Sequence, residues 1–136
     1  MTEKITSFTD LKVWQQAHRL VLAIYKITKV FPRDEQFGLT NQMRRAVVSI
    51  SSNIAEGFSK RTAIDKNKFY NIAQGSLTEL QNQLLISKDV GYLDVRTFQE
   101  LASQTIIVNK MLYGILKSSC NKILNTKYYI HILCTN

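Results

Sequence analysis

A single proline, Pro32, and five scattered glycines are the only strong backbone breakers in the 136 residues of this chain. Long stretches without them favour helices. The spacing of apolar residues points the same way. From about Thr9 to Phe31, the residues Val13, Ala17, Leu20, Ile24, Ile27 and Phe31 fall within about 80° of one another at about 100° per residue. A second stripe lies beside them: Trp14, His18, Val21, Tyr25 and Thr28. Ser7 or Thr9 is placed to cap the start, with Asp10 in the first turn, and Pro32 stands at the exit.

A second helix is expected to begin between Asp34 and Thr40 and to end near Gly57 to Ser59. Its apolar stripe is Leu39, Met43, Ala46, Val47, Ile50, Ile54 and Phe58. Within it, Gln42–Gly57 is unusual for its small side chains: Ala46, Ser49, Ser51, Ser52, Asn53, Ala55 and Gly57. A generic helix uses Leu, Lys and Glu more freely, so something is expected to pack close to this backbone. A separate polar stripe carries Arg45, Ser49, Ser52 and Glu56, while Arg44 points elsewhere.

Thr62 followed by Asp65 reads as the capping pair of a third helix, which runs to about Val90. Phe69, Ile72, Ala73, Ser76, Leu77, Leu80 and Leu84 form its expected core stripe, and Gly91 is its natural stop. Asp94 is placed to cap a fourth helix, with Phe98, Leu101, Thr105, Val108, Leu112, Ile115 and Leu116 along one face to about Ser118. Short connections between neighbours make this an all-α, antiparallel up-down-up-down four-helix bundle over residues 1–118. The tail, 119–136, has no helical stripe. It could extend the fourth helix, pack on a neighbour or be disordered.

The formal charge is +8, from 18 Lys+Arg against 10 Asp+Glu. That balance favours anionic partners, RNA or DNA ahead of a membrane surface. The two cysteines, Cys120 and Cys134, lack CxxC or Cys/His metal spacing and read as reduced thiols. No signal peptide is visible and no apolar run approaches the length of a membrane span. A soluble, cytoplasmic protein is expected.

The inventory argues against an enzyme. The only histidines, His18 and His131, are far apart, and no Glu-x-x-His pair supports a dinuclear bundle site. Zinc donors are too few, and no Gly-rich phosphate loop exists. No cofactor and no metal are expected. His18 reads as a packed or interface histidine.

Three sets of residues are candidates for other roles. Arg45, Ser49, Glu56 and Glu79 read as a structural polar layer between helices, with a polar pocket or RNA contact as the alternative. Lys12, Arg19 and Lys26 recur every seven residues on one edge of the first helix. With Arg44 and with Lys60, Arg61, Lys66 and Lys68 near the start of the third helix, they are the nucleic-acid candidates. Long flexible cations suit phosphates; an ordinary solvated face is the alternative. Tyr70, Tyr128 and Tyr129 offer weak base-stacking candidates. Helix 1 also carries more apolar surface than one core needs, so Trp14, Val21 and Tyr25 are expected to face another subunit of a homo-oligomer.

A set of ordered motifs adds to this. They are Asp10-Leu11-x-Val13-Trp14 with Ala17; Phe31-Pro32, then Glu35-x-Phe37-Gly38-Leu39; Gln42-x-Arg44-Arg45-Ala46 with Ser49-Ile50; Asn53-Ile54-Ala55-Glu56-Gly57; Phe69, Ile72-Ala73-x-Gly75-Ser76 and Glu79-Leu80; and Gly91-Tyr92. Together, over about Phe8 to Leu116, they resemble the four-helix-bundle family encoded by intervening sequences in bacterial 23S ribosomal RNA genes. Phe37 departs from the Tyr common at that position. The chain is also similar to the accessory variability protein of diversity-generating retroelements. The resemblance implies a ring-like homo-oligomer, a pentamer, with RNA as a partner, or reverse transcriptase in a retroelement context, and no established enzymatic activity. The resulting expectation is a non-catalytic, RNA-associated, oligomeric bundle. The alternative is a protein-interaction scaffold that does not touch nucleic acid.

Overall fold

The computed structural model describes residues 4–126, with side chains to Ser118. The tail from Lys127, with Tyr128, Tyr129, His131 and Cys134, lies outside the described residues, as does the side chain of Cys120. A 3₁₀ turn, Phe8–Asp10, precedes α1, Lys12–Thr28. A second 3₁₀ turn, Arg33–Glu35, leads to α2, Leu39–Ser59; α3 is Ala63–Asp89 and α4 is Val95–Thr126. No strand occurs among the described residues.

The contacts between helices establish their direction. Along α2 and α3, Met43 meets Ser87, Ser49 meets Ser76, and Gly57 lies against Tyr70. One residue number rises as the other falls, so the pair is antiparallel. Along α3 and α4, Gln74 bonds Asn109, Gln81 bonds Thr105, and Lys88 sits over Phe98, again antiparallel. α1 closes the arrangement between α2 and α4, and α1 and α3 stand at opposite corners without packing on each other.

The buried residues follow a seam. Along it lie Val13, Ala17, Leu20 and Ile24 in α1; Met43, Val47, Ile50 and Ile54 in α2; Tyr70, Ala73, Leu77, Leu80, Leu84 and Ser87 in α3; and Leu101, Thr105, Val108 and Leu112 in α4. Steps of four and three alternate, a mean of about 3.5 residues that keeps one stripe facing the bundle axis. Burial of each large aliphatic side chain contributes about 1.5–3 kcal/mol.

This spacing explains a departure from the sequence reading of α3. Ile72 is 51% exposed and Phe69 only half-buried, while Asn67, Tyr70, Gln83 and Ser87 are buried. Over 27 residues a stripe drawn at 3.6 residues per turn drifts away from one that repeats at 3.5. Ile72 falls on the losing side of that drift.

The ends of the helices are chemically specified. α1 is shorter than its apolar stripe. Ser7 and Asp10 form a reciprocal capping box around the 3₁₀ turn, and Leu11 is extended before α1 restarts at Lys12. Phe31, beyond the helix, still reaches the core, its ring 5.3 Å from that of Tyr92. Thr62 accepts the Asp65 N–H at 3.1 Å. Gly91 adopts φ +88° and ends α3, while the Tyr92 N–H returns to the Ser87 carbonyl at 2.8 Å. Asp94 accepts the Thr97 N–H at 2.7 Å at the start of α4. The helix continues past Ser118 to Thr126, which answers for those residues the question the pattern left open.

Gly57 permits a close approach of α3: a Cβ there would lie 2.5 Å from Tyr70 Cε1. Tyr70 is itself buried, so its ring has little room to yield. Gly57→Ala is expected to lose about 1–2 kcal/mol in denaturant unfolding, overpacking exceeding the helix-propensity gain. Gly114→Ala, in open space on α4, is expected to gain about 0.5–1 kcal/mol. Equal signs for the two would contradict the close approach.

The Asp94 carboxyl is held below its ordinary value by the Thr97 backbone and side-chain hydrogen bonds, and Asp10 by the Thr6 and Ser7 N–H groups and the Thr6 hydroxyl. Depressed folded-state values stabilise the protein at pH above the unfolded value of about 3.9, and the contribution disappears as pH falls through the folded values. Asp94→Ala should therefore lower the melting temperature at pH 7, and the gap from wild type should close as the solution is acidified below pH ~4. A gap that persists in acid would show that the carboxylate is not what caps α4.

Candidate nucleic-acid interface

The cationic candidates separate into two kinds. Lys12, Arg19 and Lys26 are exposed on α1 and join no ion pair among the described residues. Seven-residue spacing sets them about 10 Å apart along one edge. Lys60 is exposed with its ammonium 5.0 Å from the centre of the Phe69 ring, and Arg61 is exposed beside it. Lys68 pairs with Asp65 at 3.5 Å, both well exposed, a contact of the weak surface kind.

Arg44 and Lys66 are engaged by the fold. The Arg44 guanidinium lies 4.7 Å from the centre of the Tyr25 ring, and its Nε donates to the Thr28 hydroxyl at 3.0 Å. That hydroxyl in turn donates to the Ile24 carbonyl at 2.7 Å. Arg44 thus fastens α2 to the end of α1, and it is not the unattached cation that its position on the helical wheel implied. Lys66 donates to the Phe58 carbonyl at 2.7 Å, over the Phe58 ring. It satisfies an orphan carbonyl at the end of α2, where a cation also suits the helix dipole.

The two groups of cations do not form one patch. α1 and α3 stand at opposite corners, so the α1 row and Lys68 cannot share a helix face. Lys12, at the start of the row, borders α4 instead. A cleft of about 1090 Å³ lies between residues 4–6, the start of α1 and the 111–118 part of α4. Its lining includes Lys4 and Lys12 together with Val13, Met111 and Ile115. Sequence periodicity had no means of finding Lys4, which lies outside every helix.

Of the residues expected to form a polar layer, only Ser49 bridges two helices, 2.8 Å from the Ser76 hydroxyl, while the Asn53 amide donates to the Ser49 carbonyl at 2.8 Å. Arg45, Glu56 and Glu79 are exposed, and no ion pair among the described residues joins them. Glu79 accepts from the amide of buried Gln83 at 3.3 Å. The small hydroxyls, rather than the charges, hold the α2–α3 register within the chain.

The expected subunit face is partly used by the chain itself. Trp14 and Val21 are half-buried against the core. The Trp14 ring stacks on His18 at 4.8 Å and meets the edge of Phe8 at 5.3 Å. Tyr25 is exposed beneath Arg44. His18 is exposed, so it packs on one indole face and not in the core.

No helix among the described residues is long and apolar enough to cross a membrane. Among those residues, no three His, Cys, Asp or Glu side chains converge as a metal site would require.

The role assigned to Arg44 has a measurable consequence. Arg44→Ala is expected to cost about 1–3 kcal/mol in denaturant unfolding, from the lost hydrogen bond and the lost contact with Tyr25. Arg44→Lys should recover little of it, because a lysine lacks the planar fork and stacking face. An unfolding midpoint unchanged in both would contradict the fastening role.

Comparison with known proteins adds three findings. A family model described as 23S rRNA-intervening sequence protein matches residues 9–114. A crystal structure from Bacteroides thetaiotaomicron VPI-5482, described as a protein with unknown function from the S23 ribosomal protein family, superposes with a TM-score of 0.72 at 22% identity. The match covers 77% of this chain and 98% of that one, and at such identity it speaks to the fold alone. None of the curated proteins matches the chain.

Proposed function

We propose, from the premise that the chain belongs to the 23S rRNA-intervening sequence protein family, that it is a non-catalytic RNA-associated protein working as a homo-oligomer in the cytoplasm. The α1 row carries the reading: Lys12, Arg19 and Lys26 are exposed, aligned and without an ion pair among the described residues. A helix edge of this kind neutralises phosphates without reading bases, so the RNA is gripped by its backbone. Lys60 and Arg61, at the end of α2, add cations at another corner. The excess of Lys+Arg over Asp+Glu, +8 for the chain, supplies attraction at longer range.

Each copy offers few phosphate contacts, so single-copy affinity is weak. A ring-like pentamer, which the family resemblance implies, repeats the row and gains through avidity. Reverse transcriptase is the protein partner that the same resemblance suggests. The second reading, a scaffold that binds only proteins, draws support from the exposed strip on α2 and α3, which bears acids as well as Arg45.

Salt dependence separates the two readings. Binding of a fluorescent single-stranded RNA should weaken linearly in log–log form as salt rises. Lys12→Gln, Arg19→Gln and Lys26→Gln together should reduce that slope by about 2–3 for one bound copy, and affinity should fall for every RNA sequence alike. Arg44→Lys should leave the slope within error of wild type. A flat salt response, or no binding at low salt, would favour the scaffold.

A further inference from the structure

The connection from α1 to α2 borders a pocket of about 360 Å³, lined by none of Lys12, Arg19 and Lys26. Three cations line it: Lys29 and Arg33 from the connection, and Arg44 from the second turn of α2. Thr28, Gln36 and Thr40 complete the polar lining. Asp34 and Glu35 belong to the same connection but do not line the pocket, and the Glu35 carboxylate is engaged by the Tyr92 side chain. No ion pair among the described residues includes Lys29, Arg33 or Arg44.

Two further observations point to a ligand. Thr40 is only 6% exposed, yet its hydroxyl makes no hydrogen bond among the described residues. A buried hydroxyl normally finds a partner, and the space that Thr40 borders is this pocket. In addition, α2 starts here from Gly38 with no side chain capping it. Its first N–H groups lack intrahelical partners, and the positive end of the helix dipole favours an anion. Arg44 is meanwhile held over Tyr25 by the bond from its Nε to Thr28. Its terminal Nη groups are thereby set in place and left to donate.

The charge decides which anion fits. A carboxylate or an internal phosphodiester brings one negative charge to three cations. A phosphate monoester brings about −1.5 to −2 at neutral pH, with three strong acceptor oxygens. We propose that this pocket binds a phosphate monoester, with Lys29, Arg33 and the Arg44 Nη groups on its oxygens, the Thr40 hydroxyl donating, and the α2 N-terminus behind it. Arginine suits this role because its planar fork meets two phosphate oxygens at once. The group can arrive as a small free ester or as the terminal phosphate of an RNA strand; the recognising chemistry is the same. The site goes beyond the α1 row and does not rest on it, since that row meets internal phosphodiesters on its own edge.

The first measurement is the melting temperature of the full chain in sodium phosphate against sodium chloride, at neutral pH and equal ionic strength. Phosphate stabilises proteins in general through exclusion from their surfaces, so the reference is the variant Lys29→Gln/Arg33→Gln. Both residues are exposed, and their replacement leaves the core intact. Wild type should show a saturable rise of a few degrees once phosphate exceeds about ten times its dissociation constant. The double variant should lose the saturable part, and Thr40→Val should raise the dissociation constant about tenfold. Lys12→Gln/Arg19→Gln should keep the whole response. A rise that never saturates, or that the double variant retains, overturns the pocket.

The second measurement compares one RNA strand carrying a phosphate at its 5′ end, at its 3′ end or at neither. A preference of about tenfold for one phosphorylated end, absent in Lys29→Gln/Arg33→Gln, supports the pocket and assigns it to an RNA terminus. Saturable phosphate binding without such a preference supports the pocket and assigns it to a small ester. The two readings fail separately. A flat salt response for RNA beside saturable phosphate binding counts against the α1 row alone, and a steep salt response without saturable phosphate binding counts against the pocket alone.

Discussion

The fold depends on how closely α2 can approach α3. Gly57 lies under the Tyr70 ring, Ser49 and Ser76 share a hydrogen bond, and Met43 meets the Ser87 hydroxyl. Each contact requires a small group on at least one side. Because the three are spread along the seam, they also fix register: sliding by one turn would set Tyr70 against a side chain in place of a glycine. Burial of the Tyr70 phenol disfavours its charged form and raises its pKa. With α2 and α3 locked, α4 follows through the Gln74–Asn109 and Gln81–Thr105 bonds, and α1 through Arg44.

Small residues on the seam have a cost that shapes the rest of the surface. A helix whose inner flank is serine, alanine and glycine must place its charges at the margins. Arg44 and Arg45 show the result. Adjacent in sequence, they are about 100° apart on the helix. Arg44 therefore reaches α1, where it lies over Tyr25 and holds Thr28, while Arg45 is left on the α3 side with no ion partner among the described residues. Lys66 and Lys68 divide similarly: one closes the end of α2, the other pairs weakly with Asp65 in solvent. Not every cation of the chain is therefore free to meet a ligand.

Much of the architecture was legible because it rests on local chemistry. Ser7, Thr62, Asp94 and Gly91 cap helices for reasons that a few neighbouring residues supply, and the seams of α1, α2 and α4 are dense enough in apolar residues to stand out. α3 resisted because polar residues share its seam. Asn67, Gln83 and Ser87 are buried there, and only tertiary neighbours reveal that. The candidate site was legible as far as exposure follows from the helical wheel, which served for Lys12, Arg19 and Lys26. The wheel could not show that Arg44 finds Thr28 and Tyr25, sixteen and nineteen residues earlier in the chain, since those contacts depend on how the 29–38 connection turns. Nor could it place Arg45 and Glu79, whose separation is set by the seam and not by either helix.

The same geometry relates assembly to RNA. α1 stands diagonally opposite α3, so the α1 edge and the cations at the start of α3 face different sides of the bundle. In the proposed assembly each copy then presents Lys12, Arg19 and Lys26 to solvent. One such row holds a strand weakly, since three phosphate contacts are easily competed away by physiological salt. A second row on a neighbouring copy acts at an effective concentration set by the assembly, which can be millimolar when the two rows lie within reach of one strand. Affinity would then depend on assembly far more steeply than on any one lysine.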